Sequence, residues 1–286
     1  MRYRVDGNWY KGNTHIHSVF SDGGWTFEEL ATAYAGAGYD FLCRTDHWVA
    51  SDAATEGEVA PLLWLDGVEL DGHDERGSYY HVVCLGTFTG IAREMGFEAA
   101  LQATRIQNAF TILAHPYWTG NSFDEAQRWG FDGVEIYNHV CQWLNGKGNG
   151  APYWHAMLAS HPDTLAIACD DAHVTPAHPG WNGGWVMVQA EALTVSAIVT
   201  SLRAGQYYSS MGPSFLRIEH VGRQVAVEVS PVQFIRLVGP GSRGQRVGSF
   251  DGSLLTEAVF DIPDDWAHAY LEIEDTQRRR AWTNTL

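Results

Sequence analysis

Thirteen histidines are many for a chain of 286 residues, and six of them fall in a pattern that could hold metal ions. His15-Ile16-His17 and Asp171-Ala172-His173 each place two ligand-type residues two positions apart. On an extended segment alternate side chains share a face, so each pair can reach one ion. Between them stand Asp22 in a Ser21-Asp22-Gly23-Gly24 turn, then Asp46-His47, Glu69, His81 and His115. Imidazoles mixed with carboxylates suit zinc, iron or manganese; they do not suit calcium or an iron–sulfur cluster. A lone histidine such as His220 or His268 carries no such signal, and Ser18 and Ser21 read as loop residues, not as nucleophiles.

These groups need a scaffold that brings them together, and the hydrophobic pattern supplies one. Short apolar runs alternate with helical segments through the first two thirds of the chain, the pattern of a βα-type domain. Strands are expected at 9–15, 39–45, 62–69, 80–85, 110–114, 132–137, 164–169 and 185–188. A helix opens at Thr26, with Glu29 three residues on as a capping box, and stops at Gly36 and Gly38. Further helices are expected at 97–109, 124–129, 152–159 and 194–203. Nearly every candidate ligand falls at the end of one of these strands, where a barrel of parallel strands gathers its functional groups. Near Gly205 the character changes to short β-type runs (215–220, 224–228, 234–238, 254–260 and 269–273) separated by glycine, proline and aspartate turns. The division is therefore a barrel domain, 1–204, and a small β-rich lobe, 205–286.

His15-x-His17, Ser21-Asp22-Gly23, Thr45-Asp46-His47, Gly67-Val68-Glu69, His81, Ala114-His115-Pro116 and Asp171-x-His173, taken in order, resemble the motif set of the polymerase-and-histidinol-phosphatase (PHP) family. Glu135 and Asn138 resemble a recurrent PHP segment near the site. The C-terminal segments Gln206–Pro213 and Ala281–Asn284 resemble carbaryl-hydrolase-type members of that family. The resemblance implies an α/β fold, a distorted (β/α)7 barrel, with two or three divalent metal ions (zinc, manganese or iron). Carried over, His15, His17, Glu69 and Asp171 would hold the first ion, and Asp22, His47 and His173 the second. Glu69 would bridge to a third, completed by His81 and His115, with Glu69 and Asp171 as the supporting carboxylates of catalysis. The sequence departs from the family at Arg44, where a small apolar residue is more usual, and in the polar insert Asp71–Arg76.

Three divalent ions bring a formal charge of about +6 against three ligand carboxylates, so the resemblance implies an electropositive pit suited to a small anionic substrate. Water on such ions has its pKa lowered from ~15.7 toward ~7, which provides hydroxide at neutral pH without a covalent nucleophile. His139, Arg44, Arg76 and His178 are the candidates to bind the substrate outside the metals. Trp25, Trp48, Trp118, Trp181 and Trp185 lie beside the motifs and could stack on a planar group or fill the core. The expected activity is cleavage of a phosphate monoester or diester. The alternatives are a carbamate or carboxylic ester hydrolase using the same cluster, and a non-catalytic metal-binding or assembly module.

The composition narrows the partners. The formal charge is −16, only two of the 18 basic residues are lysine, and the one basic run is Arg278–Arg280. A long nucleic acid would call for a basic stripe, because phosphate contacts supply most of such affinity. No apolar run approaches the roughly 20 residues of a membrane span, and the first residues form no signal core. Cys43, Cys84, Cys141 and Cys169 are scattered, with no CxxC pair, as expected of reduced thiols in a cytoplasmic protein. The sequence carries no signal for oligomeric state.

Overall fold

The computed structural model describes Tyr3, residues 7–50, Val59 and residues 61–286. The first elements follow the expected alternation: β1 (Asn8–Asn13), α1 (Phe27–Gly36), β2 (Phe41–Cys43), β3 (Leu63–Leu65), β4 (Gly67–His73) and β5 (Tyr79–Leu85). Then come α2 (Phe97–Ile106), β6 (Phe110–Leu113), α3 (Pro116–Thr119), α4 (Phe123–Arg128), β7 (Gly133–Asn138), α5 (His139–Asn145), α6 (Ala151–Leu158), β8 (Leu165–Cys169), β9 (Trp185–Ala190) and α7 (Val195–Arg203). Helix α1 starts as its sequence predicts. The Thr26 hydroxyl accepts from the Glu29 amide and the Glu29 carboxylate accepts from the Thr26 amide, which satisfies two amides that the helix cannot. Its buried face, Phe27, Leu30, Ala31 and Tyr34, packs with Ile16, Leu42 and Trp64.

The hydrogen-bond ladders fall into separate sheets. Strands β4-β5-β6-β7-β8 make one, antiparallel at β5 and parallel from β6 to β8. Strands β1, β2 and β3 run parallel in a second. The expected strand 62–69 is interrupted at Asp66, so β3 pairs with β2 and β4 turns to pair with β5. Two isolated parallel bridges join the sheets at a common rim, Ile16 with Ala172 and His47 with Glu69. Ile16, Ala172 and His47 lie just past the ends of β1, β8 and β2, whereas Glu69, expected at a strand end, lies inside β4. Strand β1 stops at Asn13, so His15 and His17 flank the bridging Ile16 in place of ending the strand.

The C-terminal part adds β10 (Tyr207–Ser210), β11 (Phe215–Val221), β12 (Gln224–Val232), β13 (Phe234–Val238), β14 (Gly244–Gly248), β15 (Leu255–Asp261), β16 (Tyr270–Glu274) and β17 (Arg280–Thr283). Strands β11, β12 and β15 form a small antiparallel sheet, and the remainder extend the sheet of β1 in the order β14-β13-β16-β17-β10-β9-β1-β2-β3. The change in sequence character at Gly205 thus coincides with the turn between α7 and β10, and the sheet runs on through it. The packing is shared as well: Tyr270 and Trp282 of the lobe lie in the core built on β4–β8, and Tyr270 meets Trp154 of α6 at 4.5 Å between ring centroids.

Asp170, at the exit of β8, is the main polar staple of the rim. Its Oδ2 accepts from Asn13 Nδ2 (2.8 Å), Tyr34 Oη (2.7 Å) and the Asn182 amide (2.8 Å). Its Oδ1 accepts from the Gly183 and Gly184 amides at 2.7 and 2.9 Å. One buried carboxylate therefore ties β1, α1 and the 182–184 loop to the residue preceding Asp171. A buried donor left without its acceptor costs about 1–3 kcal/mol. Asp170→Ala should lower the melting temperature by on the order of 10 °C, since even partial rehydration leaves the Tyr34 hydroxyl and the 182–184 amides without their acceptor. A melting curve within about 2 °C of the parent would show that the staple is dispensable.

Candidate metal centre

All nine candidate ligands meet at the rim where the two sheets join. The centre of the group is Glu69, which is 1% exposed. Its Oε2 lies 3.1 Å from His15 Nε2, 3.2 Å from His17 Nε2 and 3.3 Å from His47 Nε2. It makes no hydrogen bond of good geometry to any of them. Its Oε1 lies 2.8 Å from His81 Nδ1 and 3.6 Å from His115 Nε2. The two oxygens of one carboxylate thus face two different sets of imidazoles.

The spacing within the first set is informative. His15 Nε2 and His17 Nε2 are 3.1 Å apart, and Asp171 Oδ1 lies 3.3 and 3.1 Å from them. Ligands held about 2.0–2.1 Å from one ion are separated from each other by about 3.0–3.4 Å. His15, His17, Glu69 and Asp171 have that spacing, and all four are buried. A second set, His17, Asp22, His47 and His173, lies further out: His173 Nε2 is 3.2 Å and His17 Nδ1 3.5 Å from the Asp22 carboxylate. The His17 ring is stacked between those of His47 and His173, at 4.7 and 4.2 Å.

Outer hydrogen bonds decide which ring nitrogen each histidine presents. His15 Nδ1 donates to Glu135 Oε1 at 2.6 Å, and His173 Nδ1 donates to the Asp171 carbonyl at 2.8 Å. His115 Nδ1 meets Thr119 Oγ1 at 3.1 Å, and His47 Nδ1 lies 3.1 Å from Asp71 Oδ1 as a charge pair without a hydrogen bond of good geometry. Each of the four therefore turns Nε2 toward the carboxylates, the arrangement by which outer carboxylates and carbonyls orient metal-binding imidazoles. His81 is reversed: it presents Nδ1 inward and its Nε2 meets the Tyr79 hydroxyl at 3.2 Å. Glu135 also accepts from the His115 amide and from Asn138 Nδ2, both at 2.8 Å, so one buried carboxylate positions two candidate ligands.

The electrostatics follow from this crowding. Burial pushes the Glu69 carboxyl up, but the His15, His47 and His81 rings outweigh it and hold the group well below its ordinary value. Burial likewise opposes charge on His15, yet Asp171, Glu69 and Glu135 raise it well above the usual imidazole range. His47 and His173 are pushed up to about 9, against burial, by Glu69 and Asp71 and by Asp22 and Asp171 respectively. A divalent ion would do the work of those protons. The backbone bends to suit the cluster: His115, Asp171 and Val174 adopt positive φ of 26°, 55° and 47°, a cost met at sites where the surroundings over-determine geometry. Gly23 is needed beside Asp22 because a Cβ there would lie 2.3 Å from the His17 carbonyl.

No family model matches the chain. Over 80 residues it is 32% identical to a phosphoribosyl 1,2-cyclic phosphate 1,2-diphosphodiesterase of Eggerthella lenta, a stretch covering 27% of this chain and 30% of that protein. A solved two-domain protein of Bacteroides vulgatus, described as containing a predicted PHP-like metal-dependent phosphoesterase, superposes on it with a TM-score of 0.56 at 15% identity. That superposition covers 99% of this chain and 96% of the other. The chain has a PHP-like fold. An amidohydrolase of Chromobacterium violaceum, matched over 96% of its length and 68% of this chain at 15% identity, is more distant, with a TM-score of 0.47.

Around the cluster the structure distributes the four candidate substrate residues unevenly. His178 lines a cavity of about 240 Å³ above the ligands and stacks edge-on to His173 at 5.4 Å. Arg44 is fully buried, its guanidinium 4.6 Å from the Phe27 ring and 5.1 Å from Trp64, on the α1 side of β2. Arg76 sits in an exposed turn held by Asp74. His139 packs beneath Gly183, its Nδ1 hydrogen-bonded with the Tyr137 hydroxyl at 3.0 Å. Trp118, Val140 and Leu144 form an apolar wall of the cavity. Of the other tryptophans, Trp25 and Trp181 pack together and Trp185 joins the core over α1.

Asp71, Tyr79 and Arg93 escape a reading by motif. The first two carried a signal: Glu69-x-Asp71 and Tyr79-x-His81 repeat the two-residue spacing of His15-x-His17 on paired strands. Together with Ser21, Asp22, His47, His81 and Arg93 they line a second, more open part of the cleft, of about 390 Å³.

Proposed function

We propose that this protein is a metal-dependent phosphoesterase that hydrolyses a small organic phosphate, monoester or diester. The observation that carries the reading is the gathering of six imidazoles and three carboxylates at ligand-to-ligand spacing inside an open cleft, five of the imidazoles lying within 3.6 Å of the Glu69 carboxylate. A (β/α)7 barrel closed at the rim fits the same facts, since the two isolated bridges complete a ring of seven neighbours through β1, β2, β4, β5, β6, β7 and β8.

Two or three divalent ions (zinc, manganese or iron) would be held by His15, His17, Glu69 and Asp171, by Asp22, His47 and His173, and by Glu69 with His81 and His115. Such ions, when bound, polarise a phosphoryl oxygen and lower the pKa of water to near neutrality. Glu69 keeps neighbouring ligand sets in register by dividing its oxygens between them. Glu135 and Asp71 hold His15 and His47 with Nε2 inward. Burial, together with the Asp71 and Glu69 carboxylates, keeps the Tyr79 hydroxyl protonated, so it can donate to a substrate oxygen beside His81. Trp118, Val140 and Leu144 exclude water from one side. The apolar wall is also what favours the second reading, hydrolysis of an aryl carbamate or carboxylic ester.

The acidic chain argues against a long nucleic acid, and a small anionic substrate suits the positive charge that the ions would bring to the cleft. Among the described residues no helix is long and apolar enough to cross a membrane. The four cysteines are buried free thiols, which supports a reducing compartment such as the cytoplasm. Protein loaded in turn with zinc, manganese and iron should turn over members of a phosphomonoester and phosphodiester panel with kcat/KM at least about 100-fold above matched aryl carbamates, a difference of about 2.7 kcal/mol in the barrier. Turnover confined to carbamates or carboxylic esters would establish the second reading. Full metal content with no turnover of any class would leave a metal-binding module.

A further inference from the structure

The open part of the cleft contains a guanidinium that no sequence motif announces. Arg93 comes from a single turn of 3-10 helix, Arg93–Met95, in the connection between β5 and α2. Its Nη1 and Nη2 donate to Asp71 Oδ2 and Oδ1 at 3.2 and 3.1 Å. Its guanidinium carbon lies 5.1 Å from the centre of the Trp48 ring, and Trp48 Nε1 donates to the same Asp71 oxygen at 2.8 Å. Although 59% exposed, the group is therefore oriented on two sides, by a planar fork and by a ring. A guanidinium carries five N–H donors and the fork uses two, which leaves donors for a ligand entering the cleft.

The distance from the ligand cluster defines what that ligand would be. Asp71 Oδ1 lies 3.1 Å from His47 Nδ1, so a carboxylate and an imidazole ring separate Arg93 from the inward-facing His47 Nε2. Arg93 lies on the far side of Asp71 from His47 and lines the open part of the cleft, where it would meet a second group one spacer along from a phosphate held by the cluster. The Tyr79 hydroxyl lies between the two, lining both parts of the cleft.

We infer that Arg93, fixed by Asp71 and Trp48, forms an outer subsite for a second oxyanion. The preferred substrate is thus a phosphate ester whose non-scissile part carries a carboxylate or another phosphate. This rests on the hydrolase reading above, and it assigns Arg93 the specificity role for which Arg44 is placed too deep and Arg76 too far out in its turn.

Calorimetry on metal-loaded protein with three inert probes tests it: benzylphosphonate, 4-(phosphonomethyl)benzoate and 1,4-phenylenebis(methylphosphonate). The parent protein should bind the two double anions about ten- to a hundredfold tighter than benzylphosphonate, the range of one charge-assisted contact. The larger gain identifies the outer group as carboxylate or phosphate. Arg93→Gln should collapse that preference to within about threefold, and Arg93→Lys should retain part of it. Equal parental affinity for all three probes would overturn the subsite while leaving the hydrolase reading intact. Parallel loss of all three in Arg93→Gln, with falling metal content, would make Arg93 a positioning residue for His47 and also overturn it. No binding of any probe to fully loaded protein would remove the subsite and the hydrolase reading together.

Discussion

Glu69→Gln should cost this protein at least one bound metal ion per chain and lower kcat/KM for its phosphate substrate by about a thousandfold, equivalent to about 4 kcal/mol. The change preserves shape and volume, so the effect isolates charge and donor type. In the parent, Oε2 faces three imidazole nitrogens and Oε1 two more, all within 3.6 Å. An amide offers one oxygen and one N–H group. Whichever way it turns, one of the two histidine sets faces a donor that cannot ligate an ion. Elemental analysis of the purified variant beside the parent, with activity from the same preparations, reads both effects. A variant with full occupancy and parental turnover would show that Glu69 does not bridge.

Removing the metals should produce the second large effect, in stability. An ion held at a thousand times its Kd adds about 4.1 kcal/mol, and a chain of this size shifts by about 2–4 °C per kcal/mol, so each tight ion is worth on the order of 10 °C. The pH dependence has a definite sign. In the metal-free protein His47 and His173 titrate at about 9, above the ordinary 6.5, because Glu69, Asp22, Asp71 and Asp171 outweigh their burial. Their contribution is fully present below pH 6.5 and is lost as pH rises through 9. Metal binding requires the neutral imidazoles and runs the other way. The gap in melting temperature between loaded and chelator-treated protein should therefore widen from pH 6.5 to pH 9. Superposable melts of the two forms across that range would contradict the metal-site assignment.

How much of this was legible beforehand depended on whether the determining contact was local. Two-residue spacing puts His15 with His17 and Asp171 with His173 whatever the remainder of the chain does, because extended backbone alternates its faces. Thr26 with Glu29 caps α1 through bonds that span three residues. The fold neighbour, at a TM-score of 0.56 over nearly the whole chain, agrees with the PHP resemblance those motifs carry. Strands β10, β14 and β17 were less legible: Tyr-Tyr-Ser-Ser, Gly-Gln-Arg-Val-Gly and Arg-Ala-Trp-Thr have weak alternation and become strands through their partners, β14 and β17 in hairpins with β13 and β16, and β10 by pairing with the remote β17.

Charged residues mark the boundary most clearly. A sequence can name Arg44 and Arg76 as cations but contains nothing about the direction in which each side chain leaves its element. Tertiary packing turned Arg44 inward onto Phe27 and Trp64 and left Arg76 in an exposed turn. It brought Arg93, 22 residues along from Asp71, to the cleft through a loop without periodic pattern. It also gave Asp170 five donors from three separate parts of the chain. Ligand identity and spacing are properties of the covalent chain and its local backbone, so the sequence alone determined the metal-binding candidates. The orientation of a long cation, and the donors that gather on a buried carboxylate, depend on which remote surfaces close over them, and only the tertiary structure decided those.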